Sequence, residues 1–328
     1  MLSNAIGNIS SPPILFFMLG FAAAIIKSDL FIPEQIAKAF SIYFMMAIGF
    51  KGGVELSKNG ITSELFAPMA VTVFLGFTIP ILAFYILKSI LKIDATNSGA
   101  IAAHYGSVSV VTFVTAVAFL INEGVHYNGF MVGMMAIMES PAIFISILLV
   151  RLYSKQEGLS KSFEAKELIR ESLFNSSIVL LLGSMVIGYS TGTKGMEITK
   201  DFFVSPFYGI LCIFLLEMGI LAGKRINEFK LVGATLISFA LIMPIINAII
   251  AIVISILLGL KTGDAFLFAI LSASASYIAA PAAVRLALPK ANPSYYITMS
   301  LALTFPFNIT FGIPLYYSLT FLIEQLFR

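Results

Sequence analysis

The sequence contains few of the residues that build metal sites, disulfides or water-exposed surfaces. One cysteine, Cys212, and two histidines, His104 and His126, occur in 328 residues, and tryptophan is absent. A single cysteine excludes an intramolecular disulfide, and the shortage of histidine argues against a zinc or haem site. Charged residues make up only 11% of the chain, against about 25% in an ordinary soluble domain. These shortages argue against a soluble enzyme.

Apolar residues are abundant and are grouped into long runs. They make up 59% of the chain, and a bilayer core of roughly 30 Å needs about 20 of them per helix. Ten apolar runs lie between Gly, Pro and charged residues. They cover residues 14–26, 36–50, 65–87, 98–122, 128–150, 174–190, 203–222, 231–259, 265–288 and 294–323. The sequence therefore predicts an all-α polytopic membrane protein with ten transmembrane helices.

The distribution of basic residues predicts how the chain crosses the membrane. The net charge of +3 is small and scattered, so we expect no nucleic-acid partner. The one long polar gap, 151–173, reads as a linker with five basic and four acidic residues. In a ten-span topology the linker side holds 14 of the 20 basic residues. The positive-inside rule then predicts a cytoplasmic linker and both termini outside. A nine- or eleven-span topology is the alternative.

The halves on either side of the linker resemble each other. Gly and Pro recur at similar offsets in corresponding runs, from 164 to 170 residues. The matched pairs are Gly49 with Gly219, Gly53 with Gly223, Pro80 with Pro244, and Pro141 with Pro306. Since each half has five spans, an odd number, the second half is expected to be inverted. We predict a first repeat at 1–150, a cytoplasmic linker at 151–173 and an inverted repeat at 174–328, as in many secondary transporters.

Hydroxyl residues cluster in the fourth and ninth runs, where Gly106 and Pro281 weaken the helices. We predict that both helices are broken there and meet at mid-membrane, where their N-terminal N–H groups favour a small anion. The alternative is that these small residues only let helices pack closely. The predicted substrate-binding residues are Gly106, Ser107, Ser109, Thr112, Ser272, Ser274, Ser276 and Tyr277.

Two polar residues beside prolines are candidate cation ligands. Glu139 precedes Pro141 in the fifth run, and Asn308 follows Pro306 in the tenth. A carboxylate in a span is costly and points to function by default, so we predict that both residues bind Na⁺, with uptake of a proton by Glu139 as the alternative. Glu217, in the seventh run, is as well explained by a polar partner on a neighbouring helix. We expect no transition-metal site and no cofactor beyond a coupling ion.

An intramembrane enzyme is the alternative from a different class. A serine nucleophile needs a base within hydrogen-bond reach, and no serine-rich segment contains a lysine. His104 lies one turn from Ser107 without an orienting partner in the sequence. We therefore expect no catalytic residues.

Several stretches resemble the sodium-dependent bicarbonate transporter family known from cyanobacteria. They occur in order along the chain and include IGFKGG at 48–53, GSVSVVT at 106–112 and MESPA at 138–142. The most distinctive is PKANPSYYI at 289–297. The resemblance implies Na⁺-coupled uptake of bicarbonate across the inner (plasma) membrane by an elevator-type, alternating-access symporter. Transport of an organic anion or other small solute, coupled to Na⁺ or H⁺, is the alternative.

The resemblance also implies an architecture and partners. A scaffold would comprise about 1–64 and 174–229, and a mobile core about 65–150 and 230–323. The family arrangement is a homotrimer in the lipid bilayer. A cytoplasmic regulator resembling nitrogen-regulatory PII is a further implied partner, although the short central linker of this chain weakens that expectation.

Overall fold

The computed structural model describes residues 10–60, 65–156 and 176–327, and within these ranges it contains helices and no strands. The helices alternate with short connections. They are α1 (Pro12–Ile25), α2 (Glu34–Asn59), α3 (Phe66–Ile90), α4 (Ala95–Gly106), α5 (Val110–Asn122), α6 (Phe130–Gln156), α7 (Ser176–Phe203), α8 (Phe207–Lys224), α9 (Phe229–Leu257), α10 (Thr262–Ala273), α11 (Ala280–Ala287) and α12 (Pro293–Phe327). The fold is therefore all-α, as the sequence predicts.

Several helices are long and apolar enough to cross a membrane. Six such helical stretches occur in the described ranges. They are Glu34–Lys58, Phe66–Ile90, Ala95–Asn122, Phe130–Tyr153, Phe207–Leu257 and Pro293–Phe327. Large apolar side chains such as Phe66 and Ile198 are also exposed on the molecular surface, at 70% and 82%. The chain is a multi-pass membrane protein.

Two helices extend well beyond their predicted ends. The second apolar run was expected to stop at residue 50, but α2 continues to Asn59. Lys51, Glu55 and Lys58 end the apolar run without ending the helix, because long charged side chains at the end of a span can reach water. Lys58 also pairs with Glu55 at 3.2 Å. α7 likewise continues past residue 190 to Phe203, across a kink at Gly192, where φ is +58°.

The order of elements is the same on both sides of the linker. Each half has two helices, then a long helix with an internal proline, then two short helices, then a final long helix. The internal prolines are Pro80 in α3 and Pro244 in α9. The final helices contain Pro141 in α6 and Pro306 in α12.

Glycines bring the first two helices of one half against those of the other. α1 packs on α8, and α2 packs on α7. A Cβ atom would lie within 2.1 Å of a backbone oxygen across these contacts at Gly20, Gly53, Gly188 and Gly219. The helices therefore approach closely enough for backbone contact, which only glycine permits.

Two asparagines tie each half to a short helix of the other. The backbone N–H of Asn128, just before α6, donates to Asp264 Oδ1 in the first turn of α10 at 2.7 Å. The backbone N–H of Asn292, just before α12, donates to Asn97 Oδ1 in the first turn of α4 at 2.8 Å. The two contacts join corresponding positions of the two halves.

A buried threonine compensates for the proline in α9. Pro244 has no N–H, so the carbonyl of Ala240 lacks its helical donor. Thr304 Oγ1 donates to that carbonyl at 2.7 Å, and the Tyr105 hydroxyl lies 2.6 Å from Thr304 Oγ1. The threonine thus serves two buried polar groups on two other helices.

Replacing Thr304 by valine should destabilise the fold. The change preserves shape but leaves the Ala240 carbonyl and the Tyr105 hydroxyl unpaired, at about 1–3 kcal/mol for each buried group. Thermal unfolding of the detergent-purified protein measures the effect. Tyr105→Phe is the control, because it leaves the Thr304 bond to Ala240 in place and should cost less. A Thr304→Val protein with the wild-type Tm would contradict this account.

Candidate functional site

The two pairs of short helices are separated by breaks at corresponding serines. α4 ends at Gly106, and the next residue, Ser107, is extended, with φ −93° and ψ 165°. α10 ends at Ala273, and Ser274 is extended in the same way, with φ −81° and ψ 162°. The chain resumes a helical course at α5 and α11, respectively. Both helices are therefore interrupted at the serine clusters.

Each extended segment makes a hydrogen bond to the other half of the molecule, at or near the end of its broken helix. The backbone N–H of Ser276 donates to the carbonyl of His104 at 2.8 Å. The backbone N–H of Ser109 donates to Ser274 Oγ at 3.0 Å, and this hydroxyl donates to the carbonyl of Leu271 at 2.9 Å. One contact between the halves is a direct backbone hydrogen bond, and the other is made through the Ser274 hydroxyl. The breaks are fixed in position by hydrogen bonds between the halves.

Serines also accept hydrogen bonds from the helices that start after each break. Ser109 Oγ accepts hydrogen bonds from the Thr112 backbone N–H at 3.2 Å and from Thr112 Oγ1 at 3.0 Å. These bonds occupy both acceptor lone pairs of the hydroxyl, so it can meet a further partner, such as the neighbouring Tyr277 hydroxyl, only as a donor. Ser276 Oγ accepts from the Ala280 backbone N–H at 3.3 Å. Both hydroxyls are thereby held at the start of a helix.

A narrow cavity lies at these two helix starts. Its volume is about 20 Å³, which is room for one or two water molecules. First-turn N–H groups have no acceptor within their own helix. Val110 and Val111 at the start of α5 line the cavity and keep such N–H groups, whereas at the start of α11 the Ala280 N–H is bonded to Ser276 Oγ and Pro281 has no N–H. The lining comprises Ser41, Phe44, Met45, Val108, Ser109, Val110, Val111, Val114, Glu139, Phe214, Ser276, Tyr277, Ile278 and Ala279.

The cavity lining is mostly apolar, with four hydroxyl residues and one carboxyl. Glu139, on α6, is only 2% exposed, and the lining includes no Lys, Arg or His. Ser41, Ser109, Ser276 and Tyr277 provide hydroxyl groups. The Tyr277 hydroxyl is buried beside Ser109. The site therefore offers several hydrogen-bond donors and one carboxylate.

Four of the predicted site residues thus line one cavity: Ser109, Glu139, Ser276 and Tyr277. Gly106 lies outside the lining, where a Cβ would come within 2.8 Å of Pro80 and Ala142. Ser107 also lies outside it, and its hydroxyl donates to the Glu139 carbonyl at 3.0 Å. These two residues hold the break against α3 and α6.

The remaining predicted residues surround the cavity without lining it. Thr112 and Ser274 make the hydrogen bonds described above, and Ser272 is buried with no partner for its hydroxyl in the described ranges. Asn308 Nδ2 donates to the Ala273 carbonyl at 2.9 Å, and its Oδ1 accepts from the Tyr316 hydroxyl at 2.8 Å. Asn308 thus holds the end of α10, and its role as a cation ligand stays a prediction.

Sequence reasoning missed one wall of the cavity. Ser41, Phe44 and Met45 occupy one face of α2, at positions i, i+3 and i+4. Phe214 of α8 lies edge-on to Phe44, with ring centroids 5.6 Å apart. The spacing on α2 was readable from the sequence as a helix face. Nothing in the sequence shows that this face meets the serine clusters.

Broken helices whose ends converge on a small buried cavity, in a multi-pass membrane protein, define the class of secondary active transporters. Comparison with known families agrees with this class. The Na⁺-dependent bicarbonate transporter superfamily matches residues 12–320 of the 328, and the chain belongs to it. As a member of a transporter superfamily it is not an enzyme. No curated protein matches the chain.

Proposed function

We propose that the protein is a secondary transporter that couples bicarbonate uptake to Na⁺. The observation that carries this proposal is the cavity at the starts of α5 and α11, with the hydroxyls of Ser109, Ser276 and Tyr277 in its lining. Bicarbonate is planar, singly charged and rich in acceptor oxygens. Converging N–H and O–H donors can replace its hydration shell without an arginine. Membership of the superfamily supports the same substrate.

The negative charge of Glu139 favours the binding of a cation in the cavity. Its carboxylate and a bound monoanion repel each other at short range in a buried space. A Na⁺ ion held by a carboxylate oxygen offsets this repulsion, so anion and cation stabilise each other's binding. Mutual stabilisation of this kind makes the empty and doubly loaded states the favoured ones, which is what coupled transport requires.

The proposed architecture has ten spans in two inverted repeats, 1–150 and 174–328, joined by the linker at 151–173. In this arrangement α4 with α5, and α10 with α11, each form one broken span. Two sets of reciprocal contacts support the repeats. α1 packs on α8 while α2 packs on α7, and Asn128 and Asn292 make corresponding bonds to the other half.

The proposed mechanism is an elevator-type movement of a core against a scaffold. The core would comprise α3–α6 and α9–α12, and the scaffold α1, α2, α7 and α8. The cavity supports this division, since α2 and α8 contribute one wall, and α5, α6 and the extended segments before α5 and α11 contribute the rest. Sliding the core along the wall made by Phe44 and Phe214 would expose the cavity to alternate sides of the membrane.

The remaining parts of the proposal concern membrane, topology and partners. We place the protein in the plasma membrane with both termini outside and the linker cytoplasmic, on the basis of the basic residues. The homotrimer and the cytoplasmic PII-like regulator are supported by the family resemblance. The linker segment 157–175, where such a regulator would be expected to act, lies outside the described residues.

Uptake of labelled bicarbonate into proteoliposomes tests the proposed function. We expect uptake to require an inward Na⁺ gradient and to stop when the gradient is collapsed with an ionophore. Empty liposomes at the same pH control for passive entry of CO₂. Gradient-driven uptake of an organic anion, with none of bicarbonate, would replace the proposed substrate. Bicarbonate uptake that is independent of Na⁺ but requires a proton gradient would show that the coupling ion is H⁺.

Replacing Glu139 by glutamine should weaken the Na⁺ dependence of uptake. The amide keeps the size of the side chain but removes the charge that attracts the cation, so half-maximal activation should need more Na⁺. Initial uptake rates across a Na⁺ series measure this. Glu217→Gln is the matched control, because Glu217 is a buried acid on α8 outside the cavity, near the Ile32 backbone N–H. Unchanged Na⁺ activation in Glu139→Gln would remove Glu139 from the cation site.

A further inference from the structure

The acceptor capacity of Glu139 exceeds what one cation uses. An ionised carboxylate has two oxygens and about four lone-pair directions, and it donates nothing. The Glu139 side chain lines the cavity and is 2% exposed. None of the hydrogen bonds or ion pairs of the described ranges involves its carboxylate, and the Ser107 bond goes to its backbone carbonyl. At least one buried acceptor oxygen therefore remains available to the transported molecule.

The other polar groups of the cavity are hydrogen-bond donors, so they complement the acceptor oxygens of a bound anion. The hydroxyl of Ser109 can meet any further partner only as a donor, because its lone pairs are occupied by Thr112. The N–H groups of Val110 and Val111, in the first turn of α5, are also donors. An anion that fits all of these groups must present acceptor oxygens to the donors and an O–H to the carboxylate. A buried carboxylate facing an anion without such a donor would be left unpaired and repelled.

We propose that Glu139 is a specificity-determining residue that accepts a hydrogen bond from the hydroxyl of bound bicarbonate. This inference rests on the proposed function and deepens it. Bicarbonate carries one O–H, whereas nitrate and formate are planar monoanions of similar size that have none. The site therefore selects hydrogen-bearing oxyanions, and the cation and the substrate hydroxyl share the two carboxylate oxygens.

Competition experiments on proteoliposomes test this selectivity. The quantity measured is the ratio of the inhibition constant of nitrate, or of formate, to the KM for bicarbonate, at one pH and saturating Na⁺. In the wild type we expect a high ratio for both competitors. In Glu139→Gln we expect the ratio to fall at least about tenfold, as loss of one charge-assisted hydrogen bond predicts. The amide donates an N–H to nitrate, while bicarbonate loses its anionic acceptor.

Two further variants separate charge from position. Glu139→Asp keeps the charge on a shorter side chain, so it should still exclude nitrate while its KM for bicarbonate rises. Glu217→Gln removes a buried acid outside the cavity and should keep the wild-type ratio. If Glu139→Gln transports too slowly for kinetics, the shift in Tm caused by sodium nitrate, with sodium gluconate as the reference, reports the same selectivity in purified protein.

The outcomes distinguish this inference from the proposed function. An unchanged ratio in folded Glu139→Gln, with altered Na⁺ activation, would restrict Glu139 to the cation and overturn the inference. An equal fall of the ratio in Glu217→Gln would also overturn it, because the effect would not come from the cavity. Absence of bicarbonate uptake in the wild type would instead contradict the proposed function itself.

Discussion

Replacing Ser109 or Ser276 by alanine is expected to raise the KM for the transported anion about 10- to 150-fold. This range corresponds to loss of one hydrogen bond to a charged group, about 1.5–3 kcal/mol, at about 1.4 kcal/mol per decade of affinity. Both hydroxyls line the cavity. Ser109 can contact the anion only as a donor, because Thr112 occupies its lone pairs.

The serines also accept hydrogen bonds from helix starts, and this second role needs its own control. Ser109 is the N-cap of α5, and Ser276 Oγ accepts from the first N–H of α11. Loss of such a bond costs about 1 kcal/mol of stability, so each variant should be somewhat less stable as well as weaker in binding. Asn292→Ala is the control, since Asn292 is the N-cap of α12 outside the cavity and its Oδ1 accepts from the Ser294 N–H at 3.0 Å. A KM within about threefold of wild type for both cavity variants would assign the two serines to helix packing.

Replacing Gly53 by leucine is expected to abolish the folded protein. A Cβ at this position would lie 1.9 Å from the backbone oxygen of Met185 on α7, and a backbone oxygen in a helix cannot move aside. α2 and α7 would have to separate along their contact. Even Gly53→Ala should destabilise by about 1–3 kcal/mol, the usual cost of overpacking. Size-exclusion chromatography in detergent and thermal unfolding measure both variants.

Gly183→Leu is the matched control for Gly53→Leu. Gly183 lies on α7, the helix that contacts Gly53, but no atom comes within 4 Å of a Cβ placed there. The same chemical change should therefore be tolerated, and it should gain slightly from the better helix propensity of leucine. Equal yields of monodisperse protein from Gly53→Leu and Gly183→Leu would contradict the close helix contact.

The helical course of the chain was predictable because apolar runs and their breaks are local signals. Gly106 and Pro281 marked the two interrupted helices, and each apolar run corresponds to a helix or a pair of short helices. Ends were less predictable. Lys51 and Lys58 stop an apolar run, but a helix continues where charged side chains reach water or pair with each other, as Lys58 and Glu55 do.

The candidate site was only partly predictable, because backbone geometry determines which side chains face the cavity. Ser272, Ser274 and Ser276 alternate in the sequence, yet the chain changes from helical to extended at Ser274. Only Ser276 of the three lines the cavity. Which serine faces the cavity depends on where the helix ends, and that is set by contacts with the other half. The wall formed by Phe44 and Phe214 joins residues 170 positions apart and has no local signal.

Equilibrium binding of labelled bicarbonate to the purified protein tests most directly whether the cavity between the broken helices holds the transported anion. In the presence of Na⁺ we predict saturable binding to the wild type at one site per chain. The Ser109→Ala/Ser276→Ala double variant, shown by its Tm to be folded, should lose more than about 100-fold in affinity if the two losses add. Binding by this double variant with wild-type affinity and stoichiometry would place the anion elsewhere and contradict the account.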